Sequence, residues 1–244
     1  QTIPWSGMSW ARKYLTDKRQ GSAPKSAQDI LAEGQQVWVR EVSSDDDEGS
    51  KVNNWKLSQV PNANTAFVAM NPENGAILSM VGGFNFIHSK FNRATMSVRQ
   101  VGSSIKPFIY SAAIDKGLTL ATLVNDAPIN KWDAGSGSAW RPKNSPPTYG
   151  GPTRLRIGLA QSKNVMAVRT LREVGLDETR QYLTRFGFDI NDVPRSETIA
   201  LGAGSLTPMK VAQGYSVFAN GGYYVEPFYV DRIEDAFGEV LFKA

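Results

Sequence analysis

The stretch Gly102-Ser103-Ser104-Ile105-Lys106-Pro107-Phe108 reads as the start of a helix. Ile105, Phe108, Ile109, Ala112 and Ala113 recur at the spacing of one helical face. Gly117, directly after Lys116, is the expected C-terminal stop. Pro107 has no backbone N–H and is tolerated only in or near a first turn. The helix is therefore expected to begin at about Ser103. Ser103 and Lys106 are three residues apart, which places their side chains on one face. A hydroxyl at a helix N-terminus sits beside free N–H groups and the positive dipole end, which favour a developing oxyanion. A lysine one turn on can take the hydroxyl's proton, provided burial or a neighbouring cation keeps the amine neutral.

By itself, serine-x-x-lysine also describes an N-cap serine followed by a solvated lysine, which is ordinary helix chemistry. The same spacing recurs at Ser22-Ala23-Pro24-Lys25. That copy lies in a polar, Pro-containing stretch with no apolar periodicity and reads as a chance match. Context has to separate the two.

The chain has 244 residues, enough for one large domain or two smaller ones, and its 41% hydrophobic content can build a core. The net charge of +4 is small and scattered, which gives no nucleic-acid footprint. Without cysteine, disulfide scaffolds, zinc–thiolate sites and thiol catalysis are excluded. The absence of cysteine also suits an exported protein. No apolar run is long enough to span a membrane. The opening Gln1-Thr2-Ile3-Pro4 is neither an initiator methionine nor a signal peptide, so the chain reads as an excerpt of a longer protein.

Trp5, Met8, Trp10, Tyr14 and Leu15 are expected to pack one side of a short helix or loop. Gln36 to Ser43 alternates as a strand, and Val52 to Val60 returns as its partner. Asp45-Asp46-Asp47-Glu48-Gly49 between them reads as a solvated hairpin tip, since it lacks the closing glutamate of an EF-hand loop. Residues 1–61 are thus a small β-rich module. Beyond Pro61, Thr65 to Met70 and Ala76 to Val81 are apolar strands joined by Asn71-Pro72-Glu73-Asn74-Gly75. Their near-continuous apolarity predicts burial on both faces under covering helices. His88 is the only histidine and sits in a loop, so no Ser–His–Asp triad is built.

Leu118 to Thr153 reads as a long irregular stretch of functional character. Thr153 is then expected to cap a helix ending at Gln161-Ser162-Lys163-Asn164. Further helices are expected from Val165 to Val174, closed by Gly175, and after an Asp177 cap. Another starts at Thr207-Pro208 and stops at Asn220-Gly221-Gly222. Tyr223 to Glu234 and Gly238 to Lys243 read as closing strands. Strands, then helices, then strands predict an α+β domain over residues 62–244, with one antiparallel sheet whose halves are far apart in sequence.

Ser103-x-x-Lys106 followed by Ser162-x-Asn164 resembles the motif set of penicillin-binding proteins and serine β-lactamases. Val68 to Gly83, Phe91-Asn92-Arg93-Ala94, Trp140-Arg141-Pro142-Lys143-Asn144, Tyr149-Gly150-Gly151-Pro152 and Leu201 to Gly222 resemble the transpeptidase domain of class A penicillin-binding proteins. Residues 1–60 resemble the end of the oligonucleotide/oligosaccharide-fold insert that precedes it in the 1a type. The resemblance implies a penicillin-binding/β-lactamase-like fold, an antiparallel sheet flanked by helices. It implies Ser103 as the nucleophile toward a D-Ala–D-Ala stem peptide and Lys106 as its base. Ser162 is implied as the proton relay to the leaving amine. Asn164 is implied as a hydrogen-bonding partner of the peptide or the lysine, and Trp140 is a further substrate-binding candidate. The Ser103 backbone N–H is implied as half of the oxyanion hole.

The implied partners are peptidoglycan stem peptides and β-lactams, with cell-wall proteins reached through the N-terminal module. No cofactor or metal is implied. The implied location is the periplasmic face of the bacterial inner membrane, in a protein that also carries a glycosyltransferase domain. No K-T-G precedes Ala244, so the transpeptidase domain is expected to be incomplete here. Two rivals stand beside this expectation. A serine β-lactamase needs a deacylating carboxylate, and Glu197 is the only acid in roughly the right region, whereas Lys163 lies where many β-lactamases carry aspartate. A non-catalytic β-lactam-binding sensor or scaffold is the other.

Overall fold

The structure is a computed structural model and describes residues 2–45, 51–129, 131–133 and 138–244. The chain divides into two compact units, Gln1–Asn64 and Thr65–Ala244.

The first unit carries a short pair, β1 (Tyr14–Thr16) with β2 (Arg19–Gln20), and a long hairpin, β3 (Trp38–Asp45) with β4 (Lys51–Ser58). The hairpin register runs without a break from Trp38↔Ser58 to Asp45↔Lys51. Most of its expected acidic tip, residues 46–50, lies outside the described residues. A 3₁₀ turn at Trp5–Gly7 meets β4 so closely that a Cβ on Gly7 would stand 2.6 Å from the Trp55 carbonyl oxygen. The expected aromatic packing fails here: Trp5, Trp10, Tyr14 and Leu15 are exposed, and Met8 is the member of that set that is buried. A three-residue turn followed by an exposed strand offers no continuous apolar face.

The second unit opens with the antiparallel pair β5 (Phe67–Met70) and β6 (Ile77–Val81). Then follow α1 (Arg93–Met96), β7 (Arg99–Gln100) and α2 (Lys106–Asp115). The α-helix does not start at Ser103. A 3₁₀ turn, Gly102–Ile105, carries Ser103, and the α-helix takes over at Lys106 with Pro107 in its first two positions. Tighter winding is common at helix N-termini, and proline fits just inside the start.

The stretch expected to be irregular is paired. β8 (Leu123–Asp126) runs antiparallel to β11 (Gly151–Arg154), and β9 (Lys131–Asp133) pairs with β10 (Ser138–Trp140). Prolines and glycines between these short strands mask their alternation. Thr153 belongs to β11, and its hydroxyl donates to Gly151 O instead of capping a helix. Next come α3 (Leu155–Ala160), α4 (Asn164–Val174) and α5 (Leu176–Leu183). Gly175, at φ 101°, closes α4 and precedes α5 directly. Asp177 therefore lies inside the first turn, where it pairs with Arg195 and not with backbone N–H groups. β12 (Ser205–Leu206) pairs with β7, and Thr207 caps α6 (Pro208–Ala219) by accepting from Lys210 N at 3.2 Å. β13 (Arg232–Glu234) and β14 (Val240–Lys243) form the last hairpin.

The class is α+β, with helices against antiparallel strands. The expected single sheet is not continuous, however: among the described residues each sheet is two strands wide. Among the described residues the C-terminal segment meets the start of β6 at an isolated bridge, Ala76↔Phe228. Tyr223 to Asp231 is not strand, and Pro227 in it cannot donate to a ladder. β5 and β6 are not covered on both faces. Phe67 and Leu78 remain 56% and 70% exposed, although α6 packs against β5 and α1 against β6.

The core lies between α2, α4, α5 and α6. Ile105, Phe108, Ile109, Ala112 and Ala113 are all buried, as their spacing requires. Phe108, 1% exposed, meets Phe186 and Phe188 edge-on at 4.9 Å and Tyr215 at 5.0 Å between ring centroids. Edge-to-face contacts of this kind add to the burial of apolar area. Phe108→Ala is expected to cost about 3–5 kcal/mol. Denaturant unfolding of parent and variant measures it, and a loss below about 1 kcal/mol would show that Phe108 is not the centre of this core.

Candidate active site

The 3₁₀ turn bearing Ser103 is fixed from outside the helix. Gly102 N donates to Gly202 O at 3.3 Å, and Val101 N donates to Gly204 O at 3.2 Å. Gly202 has φ +81°, and a Cβ there would stand 2.1 Å from Gly102 O, so only glycine fits. The Tyr215 hydroxyl donates to Ser104 O at 2.9 Å. Ser103 itself is exposed, and its hydroxyl has no hydrogen-bond partner among the described residues. The backbone is thus held while the candidate nucleophile faces open space.

Lys106 occupies the first position of α2 and is 1% exposed. Its Nζ donates to Ser162 O at 2.6 Å, to Ser162 Oγ at 2.9 Å and to Asn164 Oδ1 at 2.7 Å. All three acceptors are neutral. Burial pushes the amine down from 10.5 to about 8. The acceptors favour the ammonium form, but loss of water outweighs them. The neutral amine also fits this nest: it can donate to Ser162 O and Asn164 Oδ1 while accepting from the Ser162 hydroxyl. Both protonation states are therefore satisfied by a rotation of one hydroxyl hydrogen.

Ser162 and Asn164 come from the break between α3 and α4. Ser162 has φ +51°, the left-handed region, at a cost of roughly 1–2 kcal/mol for a residue with a Cβ. That turn directs its carbonyl and hydroxyl to the same amine. Asn164 opens α4, and its Nδ2 donates to Lys143 O at 2.8 Å, which leaves Oδ1 for Lys106. Between them Lys163 turns the other way and pairs with Asp126 at 3.2 Å. Asn144 Nδ2 donates to Asp126 Oδ1 at 2.7 Å, and Asn144 Oδ1 accepts from Val165 N at 3.2 Å.

The structure thus brings Lys106, Ser162 and Asn164 into hydrogen-bond contact. It places Ser103 one turn N-terminal, on the 3₁₀ turn that leads into α2, without a bond to Lys106. Trp140 ends β10 and packs partly buried against the helical core cluster. Ser22 and Lys25 are both exposed, and the Lys25 backbone N–H donates to Asp29, so nothing there resembles the Lys106 nest. His88 is exposed and its ring meets Asn85 Oδ1 at 2.8 Å. Glu197 is engaged by Arg172, whose Nε and Nη2 donate to its two oxygens at 3.1 and 2.8 Å.

Sequence reasoning did not single out Asp126, Tyr215 or Gly202. Asp126 carried one faint signal: it ends an alternating segment, Leu123 to Asp126, whose inward positions are Val124 and Asp126 itself. A cavity of about 210 Å³ borders Thr148, Ser162 and Lys163. A larger one of about 660 Å³, between α2 and α5, contains none of the four motif residues. Chemistry and not volume locates the site.

The profile of the penicillin-binding protein transpeptidase domain matches residues 65–243, and that of the penicillin-binding protein OB-like domain matches residues 1–63. The chain is 72% identical to penicillin-binding protein 1A of Vibrio cholerae over 244 residues, all of this chain and 29% of that protein. It is 53% identical to penicillin-binding protein 1A of Escherichia coli over 242 residues, 99% of this chain and 27% of that protein. The crystal structure of penicillin-binding protein 1A from Haemophilus influenzae superposes with a TM-score of 0.77 at 48% identity, covering 88% of this chain and 31% of that one. The chain therefore spans less than a third of the length of these relatives. It belongs to the penicillin-binding protein transpeptidase family.

Proposed function

We propose that the full-length protein is a peptidoglycan D,D-transpeptidase and that Ser103 is its acylated residue. The observation that carries this reading is the buried Lys106 amine, its pKa pushed down to about 8 by burial, held by Ser162 and Asn164 one turn after an exposed, fixed serine. Ser103 Oγ attacks the carbonyl carbon of the D-Ala–D-Ala bond of a stem peptide, and its proton passes to Lys106 Nζ. The tetrahedral oxyanion lies against the Ser103 backbone N–H. Collapse breaks the C–N bond. The Lys106 proton reaches the leaving D-alanine amine through the Ser162 hydroxyl, which touches Nζ at 2.9 Å. An amine of a neighbouring stem then attacks the ester, returns a proton along the same route and releases Ser103 with a new peptide cross-link. A β-lactam ring opens on the same serine, but its leaving group stays tethered and the ester persists.

The family match and the high identity to penicillin-binding proteins 1A support this reading over a β-lactamase. So does Glu197, both of whose carboxylate oxygens accept from Arg172. In the same reading, residues 1–61 are the end of an insert that reaches cell-wall partner proteins. Residues 62–244 belong to the transpeptidase domain. The protein acts on the periplasmic face of the inner membrane beside a glycosyltransferase domain. No described helix is long and apolar enough to cross a membrane.

Fluorescent penicillin should label the full-length parent and Ser22→Ala but not Ser103→Ala. Label retained in Ser103→Ala refutes the nucleophile. Lys106→Ala should slow acylation by about 10²–10⁴-fold, the usual worth of a positioned base. The neutral amine is the active form, so the parent's acylation rate should rise with pH and level off above about 8. A rate independent of pH between 6 and 10 (about two units either side of that value) removes Lys106 as the base.

A further inference from the structure

Asp126 is a fully buried carboxylate, 0% exposed, at the end of β8, and it is not one of the four motif residues. Its Oδ1 accepts from Asn144 Nδ2 at 2.7 Å. Its Oδ2 accepts from Gly150 N at 3.0 Å and pairs with Lys163 Nζ at 3.2 Å. Burial alone would raise its pKa. The Asn144 bond, the Gly150 N–H and Lys163 more than reverse that, and the carboxyl is held below its ordinary range. It is therefore charged at neutral pH.

These contacts converge on one place. Lys163 lies inside the Ser162-Lys163-Asn164 turn and also donates to Thr148 O at 3.3 Å. Asn144, locked by Asp126 and by Thr148 O at 2.8 Å, accepts from Val165 N in the first turn of α4. Asp126 thus grips the turn from inside through Lys163 and from its C-terminal end through Asn144. Ser162 is exposed, and a cavity of about 210 Å³ opens against Ser162 and Lys163. The left-handed Ser162 needs a restraint, and the buried Asp126 carboxylate, bonded on both oxygens and paired with Lys163, supplies one.

We propose that Asp126 is a positioning residue for acyl transfer, which holds Ser162 and Asn164 on the Lys106 amine by anchoring Lys163 and Asn144. This rests on the reading of Ser103 as the acylated residue. Asp126→Asn keeps the shape and an acceptor but loses the charge that faces Lys163. Lys163→Met removes the same pair from the more accessible side, where folding is less at risk.

The test is stopped-flow acylation of the full-length protein by fluorescent penicillin, separating the first-order acylation step from the dissociation constant of the non-covalent complex. Thermal unfolding is followed in parallel. Each single variant should slow the first-order step by on the order of tenfold to a hundredfold, as sub-ångström misplacement does, and change the dissociation constant less than about threefold. The double variant should be no slower than the worse single, because both break one link. An unchanged first-order step in folded Lys163→Met or Asp126→Asn overturns the proposal while leaving Ser103 in place. Lowered unfolding temperature with unchanged acylation per folded molecule also overturns it and leaves a purely structural role. A parent that does not label at all overturns both readings together.

Discussion

An amine with almost no contact with water has to find its hydrogen bonds inside the protein. Lys106 does so by drawing on two residues more than fifty positions later, and the central part of the second unit is built to bring them there. The side chain leaves the first position of α2, whose Phe108 and Ile109 are sunk in the core. α4 lies against α2 through its own buried Val165, Met166 and Val168, so its N-terminus arrives beside Lys106. The break between α3 and α4 then exposes a carbonyl, a hydroxyl and an amide oxygen where one helix would have hidden them. Desolvation and acceptors act in opposite directions on the same group. Desolvation wins, and the result is a lysine that changes charge at moderately alkaline pH.

The positions that carried the sequence reading were local ones. Pro107 fixes where the helix can start, and the spacing of Phe108, Ile109 and Ala112 fixes its buried face. Thr207-Pro208 and Asn220-Gly221-Gly222 bracket α6 for the same reason: caps and breakers act within a few residues. Ser162 and Asn164 were legible only through their order after Ser103 and through the resemblance, since a serine and an asparagine in a loop have no periodicity of their own.

What stayed illegible was non-local. β8 and β11 pair across about twenty-five residues that include Pro142, Pro146 and Pro147, and no pattern in either strand announces the other. The apolar residues of β5 and β6 promised burial on both faces, but composition does not reveal how many elements are present to cover a sheet. Asp126 is the sharpest case. An acidic residue in a polar, proline-containing stretch reads as solvated. Only the fold places Asn144, Gly150 and Lys163 around it and makes its burial affordable.

The state of the Lys106 amine is the quantity on which the chemistry turns, and it can be measured directly. Side-chain nitrogen NMR of lysine-labelled protein, with Lys106→Arg to assign the signal, gives its titration midpoint. The structure predicts a midpoint near 8. A midpoint at the ordinary lysine value of 10.5 would mean that Lys106 is solvated and would contradict the account.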